Sequence, residues 1–315
     1  MSDGLHLLLP LAAPAHEEAR SLLAGMRLPA TERLLATLVV TADERDSEQA
    51  LSMPHERVLA RECGLPLDDG RIPLAAWQVA AAGAPDGAAW GWITPCHWEV
   101  GTRDIRMHHP QDLRLDGEES QALLAAMQPF FAEDGLELRY EAPTRWLARG
   151  PLLAQVATAS LDRVIGRLLD EWMPRGDGAR LLRRLQQEMQ MLLYTHPVNE
   201  ERLRGGQLPV NSFWASGTGA LPAQVAAQPA GLQVLHGLRD AALLQDWRAW
   251  AANWEQFESR DAPRLLQAAQ AGHDVRLTLC GERGARTWQS TRRGPFSRLS
   301  TLWSRPRIAE CVQDL

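Results

Sequence analysis

The chain contains no lysine: all 33 basic positions are arginine. This rules out a phosphate loop of the Gly-x4-Gly-Lys type, which needs a lysine against the phosphates. Arginine is also the general polar filler of this alanine- and leucine-rich sequence, so no single arginine marks a site. Cysteine is scarce. Cys63, Cys96, Cys280 and Cys311 are scattered without a Cys-x-x-Cys pair, as expected for reduced, buried thiols in the cytosol. Long apolar runs are missing. Residues 5–13 are too few to span a bilayer and no basic leader precedes them, so the expectation is a cytoplasmic protein with no membrane partner. A net charge of −6 and a pI of 5.9 argue against non-specific nucleic-acid binding by the whole surface. Tyrosine occurs only twice against twelve tryptophans, whose large buried area suits core packing.

At 315 residues and 45% hydrophobic, the chain can bury a substantial core. Helical spacing predicts helices over 15–26, 54–63, 158–172 and 263–271. A further helix starts at Asp116, whose capping box closes on Glu119, and another at Asp240 carries Trp247, Trp250, Trp254 and Phe257. Alternation predicts strands over 5–9, 105–109, 136–140, 144–148 and 232–235, and a hairpin over 274–290. Residues 34–40 fit helix or strand, and 43–48 a loop or an exposed helix. His55, Glu56 and Arg57 are expected as a charged surface triplet. The mixture implies one α/β domain over 1–315, a mixed sheet with helices on both faces; residue 150 is the alternative internal boundary.

The most informative stretch is 181–219. It opens as an amphipathic helix, with Asp177 as its expected cap and Pro197 as its stop. A polar loop is expected next, with His196, Asn199, Arg202 and Asn211, then Trp214 and a Gly217-Thr218-Gly219 turn. Loops dense in such groups often carry function. This pattern, His-Pro-Val-Asn-x-x-Arg followed by Pro-x-Asn, Trp and Gly-x-Gly, resembles archaeal-type cofactor-independent phosphoglycerate mutases. A second segment, with His97, Arg103 and Asp104, resembles another part of those enzymes. The whole chain resembles the bacterial family of RpfE-type regulatory proteins. The resemblance implies an alkaline-phosphatase-like core, here degenerate or trimmed, and a partner such as the RecJ exonuclease.

The resemblance also implies two divalent metals held by Asp and His clusters around a serine nucleophile. Here the first strand runs into Pro10-Leu11-Ala12-Ala13-Pro14 with no carboxylate, and the only late Asp-His neighbours are His273-Asp274. A two-metal site needs several such ligands. The expectation is therefore a non-catalytic regulatory or accessory protein with no cofactor, no metal and no catalytic residue, acting through a protein partner. Its working surface would comprise His97, Arg103, Asp104, His196, Asn199, Arg202, Asn211, Trp214, Gly217, Thr218 and Gly219. One alternative is a phosphoryl-transfer enzyme with a relocated site. Another is an accessory factor for a nucleic-acid enzyme or single strands: residues 283–307 hold seven arginines, no acid and interleaved aromatics. Arg286, Trp288, Arg292, Arg293 and Arg298 would make those contacts.

Overall fold

The computed structural model describes residues 4–83, 86–102, 104–222, 229–291 and 307–315. In chain order, strand β1 (Leu5–Ala13) is followed by helices α1 (Glu17–Gly25) and α2 (Pro29–Thr37) and strand β2 (Val39–Arg45). The ambiguous 34–40 stretch is thus split between helix and strand, and the polar 43–48 run begins inside β2. Helices α3 (Pro54–Glu62) and α4 (Leu74–Ala81) precede β3 (Ala89–Cys96), β4 (Trp98–Val100) and β5 (Ile105–Met107). Helix α5 (Gly117–Glu133) starts at the expected capping box: Glu119 N–H donates to Asp116 Oδ1 at 2.9 Å, and Asp116 N–H to Glu119 Oε2 at 3.2 Å. Strands β6 (Glu137–Ala142) and β7 (Arg145–Arg149) follow.

The predicted helix over 158–172 is corrected by the structure. Only one turn forms, α6 (Leu161–Val164), with a 3-10 turn at Leu169–Glu171. Gly166 adopts φ +71°, and the backbone around it bridges to β5 at Met107 and Arg106 instead. Helix α7 (Ala179–Tyr194) forms as predicted, but Gly178, not Asp177, occupies its N-cap at φ +82°. The predicted polar loop is also corrected. It contains helix α8 (Pro197–Arg204), and the Gly-Thr-Gly run lies inside strand β8 (Ser212–Ala220). After β9 (Leu232–Val234), the predicted tryptophan helix divides into α9 (Gly237–Leu243) and α10 (Trp247–Gln256). Gln245 takes φ +54° at the break, and Asp246 rather than Asp240 caps α10. A π-turn (Phe257–Asp261) leads to α11 (Ala262–Gln270), the predicted hairpin β10 (Val275–Gly281) and β11 (Gly284–Gln289), and α12 (Ile308–Val312).

The chain divides into two compact units. One combines Met1–Glu48 with Gln228–Leu315; the other is Gln49–Ala227, and residue 150 lies within it. The first unit holds a mixed sheet in the order β2-β11-β10-β1-β9, with β1 parallel to β10 and β9. Leu7, Leu8 and Leu9 of β1 are all buried. Successive side chains point to opposite faces, so both faces of this strand are covered. The second unit holds an antiparallel sheet, β6-β7-β3-β8. Leu123, Met127 and Phe131 of α5 pack with Leu182, Leu185, Met189 and Leu193 of α7, around Trp146 and Phe213. A second cluster joins Trp98, Met107, Trp172 and Trp214. No helix among the described residues is long and apolar enough to cross a membrane.

Candidate functional site

Pro197 begins α8 rather than ending α7, because its fixed φ suits the first helical position and its missing N–H costs nothing there. His196 is the cap, its Nδ1 accepting from Val198 N–H at 3.3 Å. Burial holds this imidazole below its ordinary pKa. Asn199, 2% exposed, donates through Nδ2 to the carbonyls of Leu193 (2.8 Å) and Val210 (2.6 Å). Its Oδ1 accepts from Val210 N–H at 2.9 Å. Arg202 is 0% exposed. Its Nε donates to Leu208 O at 2.9 Å, its Nη1 contacts Glu119 Oε2 at 2.6 Å, and its Nη2 donates to Leu113 O. The conspicuous polar groups of this stretch thus bind the fold's own backbone.

The structure brings Asn211 and His97 together. Asn211 Oδ1 accepts from Trp98 N–H at 2.7 Å and its Nδ2 donates to Trp98 O at 2.9 Å. His97 Nδ1 donates to Pro209 O at 2.8 Å. Burial is the main cause of the lowered pKa of His97. Its ring meets His108 edge-on at 5.2 Å, and His108 Nε2 contacts Glu99 at 3.0 Å. Asp104 lies 3.6 Å from Arg106 on β5, and Arg103 lies outside the described residues. Further along β8, Trp214 Nε1 donates to Ala159 O at 2.9 Å and Thr218 Oγ1 to Val156 O at 3.0 Å. Gly217 (φ +61°) and Gly219 (φ +149°) sit where a side chain would strike Trp92 and Pro73.

The surface triplet at 55–57 is a further correction. His55 is 8% exposed, with Nε2 3.5 Å from Asp162 Oδ2. Glu56 accepts from Ser160 Oγ at 2.7 Å and Met53 N–H at 2.8 Å. Arg163 is buried with them and lies over the Trp172 ring. This interior charged group is absent from the sequence expectations. Its one legible signal was Pro54 with Glu56 two positions later, a helix start that turns the glutamate back on its own backbone. In the basic segment, Arg286 pairs with Asp43 at 2.6 Å and also donates to Cys311 O, and Trp288 is buried. Arg292, Arg293 and Arg298 lie outside the described residues.

Among the described residues, no group of three or more His, Cys, Asp or Glu side chains could hold a metal ion. Burial pushes the Cys96 thiol far up, which denies the neighbouring His97 a thiolate partner.

No family model matches the sequence. Over 157 residues the chain is 26% identical to the 2,3-bisphosphoglycerate-independent phosphoglycerate mutase of Methanosarcina mazei, covering 49% of this chain and 38% of that enzyme. The Methanosarcina barkeri enzyme matches to the same extent. A probable enzyme of this kind from Geobacter sulfurreducens is 37% identical over 59 residues, 19% of this chain and 15% of that one. The chain is a distant homologue of cofactor-independent phosphoglycerate mutases. It spans well under half the length of the curated relatives it matches. Two solved structures resemble it over 92% of its length. They are a cofactor-independent phosphoglycerate mutase from Thermoplasma acidophilum (13% identity, 90% of that chain, TM-score 0.37) and the PH0037 protein from Pyrococcus horikoshii (12%, 87%, 0.44). Among the described residues, the donors for the two-metal centre that the sequence resemblance implies are not brought together: β1 ends in Ala12 and Ala13, and the described donors do not cluster.

Proposed function

We propose that this chain is a non-catalytic regulatory or accessory protein of the RpfE type, cytoplasmic, built on part of a scaffold related to cofactor-independent phosphoglycerate mutases and acting through a protein partner. One observation carries the reading. The segment whose motif resembles the mutases is spent inside the fold: Asn199, Arg202, Asn211, Trp214 and Thr218 all donate to backbone carbonyls. Donor atoms already given to the fold's own carbonyls are not free to hold a substrate. The lack of a metal-ligand cluster among the described residues points the same way. Apolar side chains on the outside of the same segment favour a partner: Met191 and Tyr194 lie about one turn apart on α7, and Leu203 lies on α8, all exposed. The cysteines are all free, in keeping with the cytoplasm.

The test is an assay with 3-phosphoglycerate and manganese or magnesium. Product formation at the protein-free background is expected. Turnover above background that His196→Ala abolishes overturns the proposal.

A further inference from the structure

In the first unit, the parallel strands β1 and β10 end side by side, with Ala13 paired to Gly281. Crevices outside the carboxyl ends of parallel strands are where open α/β sheets receive ligands. Here the segment 307–315 closes over those ends. Ile308, Val312 and Leu315 are its buried anchors, and Arg283 N–H donates to Leu315 O at 2.8 Å. Gly281 permits this approach, since a Cβ there would collide with the Leu315 main chain.

The closure leaves a cavity of about 360 Å³ between the strand ends, α1, α10 and α12. That lies within the range of small-molecule sites, about 300–1,000 Å³. Ala19, Leu23, Trp250 and Val312 supply apolar lining. Trp250 gives its Nε1–H to Leu11 O at 3.0 Å, so its ring contributes apolar surface only. Four charged side chains also line the cavity. Arg283 pairs with Glu48, and Glu282 accepts from Ala15 N–H at 3.0 Å. Arg20 on α1 and Glu310 on α12 make no side-chain hydrogen bond or ion pair with any described residue. Among the described residues, one cation and one anion without a side-chain partner, on two different elements, thus share a mainly apolar cavity.

We propose that this cavity binds the free zwitterion of an apolar α-amino acid. The side chain rests on Trp250 and Leu23, the carboxylate faces Arg20 and the ammonium faces Glu310. Guanidinium–carboxylate pairing is among the stronger polar contacts, and the opposing carboxylate selects against ligands lacking a positive group. This site does not depend on the absence of catalysis proposed above.

Isothermal titration of the full chain with L-leucine and L-phenylalanine tests it. Saturable 1:1 binding of at least one is expected, weakened about tenfold or more in N-acetyl-L-leucine and L-leucinamide. Arg20→Ala is expected to weaken leucine binding but not leucinamide binding, and Glu310→Gln to weaken leucine but not N-acetyl-leucine. Both side chains are exposed, so both variants should keep the wild-type far-ultraviolet spectrum. Ala309→Trp, which fills the cavity from α12, should abolish binding. The proposal is overturned if neither amino acid binds at millimolar concentration, if the blocked derivatives bind as tightly as leucine, or if both charge variants bind leucine like wild type.

Discussion

Burying an ion costs several kcal/mol even after the protein relaxes around it, and Arg202 is fully buried. Its cost is offset by three acceptors from separate segments: the Leu208 and Leu113 carbonyls and the Glu119 carboxylate. Arg202→Ala removes all three bonds and leaves Glu119 only partly solvated. It is expected to lower stability by about 3–5 kcal/mol, read from urea unfolding. A change under about 1 kcal/mol would show that the guanidinium is dispensable. The two partly buried histidines make a separate pH prediction. The pKa values of His97 and His196 are lowered from about 6.5 in the fold, so the unfolded chain takes up protons first. Their contribution is complete above pH 6.5 and is lost as pH falls through that value toward the folded pKa. The urea midpoint should fall across this window, and His97→Asn should flatten part of the slope. The capping role of Asp116 was legible in sequence, because a capping box is written in four consecutive positions. The role of Arg202 was not: its acceptors come from residues 113, 119 and 208, and an all-arginine sequence gives a buried guanidinium no distinguishing mark.

Helices α1, α3, α5 and α7 and the β10–β11 hairpin follow from apolar spacing and turn residues, and the structure keeps them close to their expected limits. The misreadings share a cause. Apolar residues over 158–172 have helical spacing, yet that spacing cannot reveal that the backbone at Ile165 and Leu168 finds partners on β5. Pro197 was taken as a stop when it is the first residue of a new helix. The Gly-Thr-Gly run reads as a turn, but it is the place where β8 slips register against β3, between the pairs Trp92–Ser216 and Trp90–Gly219. Such a bulge needs a residue that tolerates positive φ. Gly217→Ala would force a Cβ to within 2.6 Å of the Trp92 ring. It should destabilise by about 1–3 kcal/mol, seen as a lower midpoint of thermal unfolding. The opposite sign is expected at the α9–α10 break. Gln245 holds φ +54° without a glycine's freedom, so Gln245→Gly should raise stability by about 0.5–1 kcal/mol. An unchanged or lower urea midpoint would contradict that reading.

At the scale of the whole molecule, the second unit is continuous in sequence and the first is not. The second unit has its own core around Trp146 and Phe213, so residues 49–227 expressed alone should unfold in a single cooperative urea transition. A broad, probe-dependent transition would show that this core needs the rest of the chain. The first unit completes its sheet only late in the chain, because β1 finds its neighbours in β9 and β10, more than 200 residues further on. On the ribosome this imposes a delay. At about 5–20 residues per second, Leu7, Leu8 and Leu9 emerge tens of seconds before any strand exists to cover them. Through that interval the apolar β1 segment has no strand to pair with, while residues 49–227 are made. The exposure of this apolar strand is therefore greatest during synthesis, rather than in the finished molecule, where Leu7, Leu8 and Leu9 are buried.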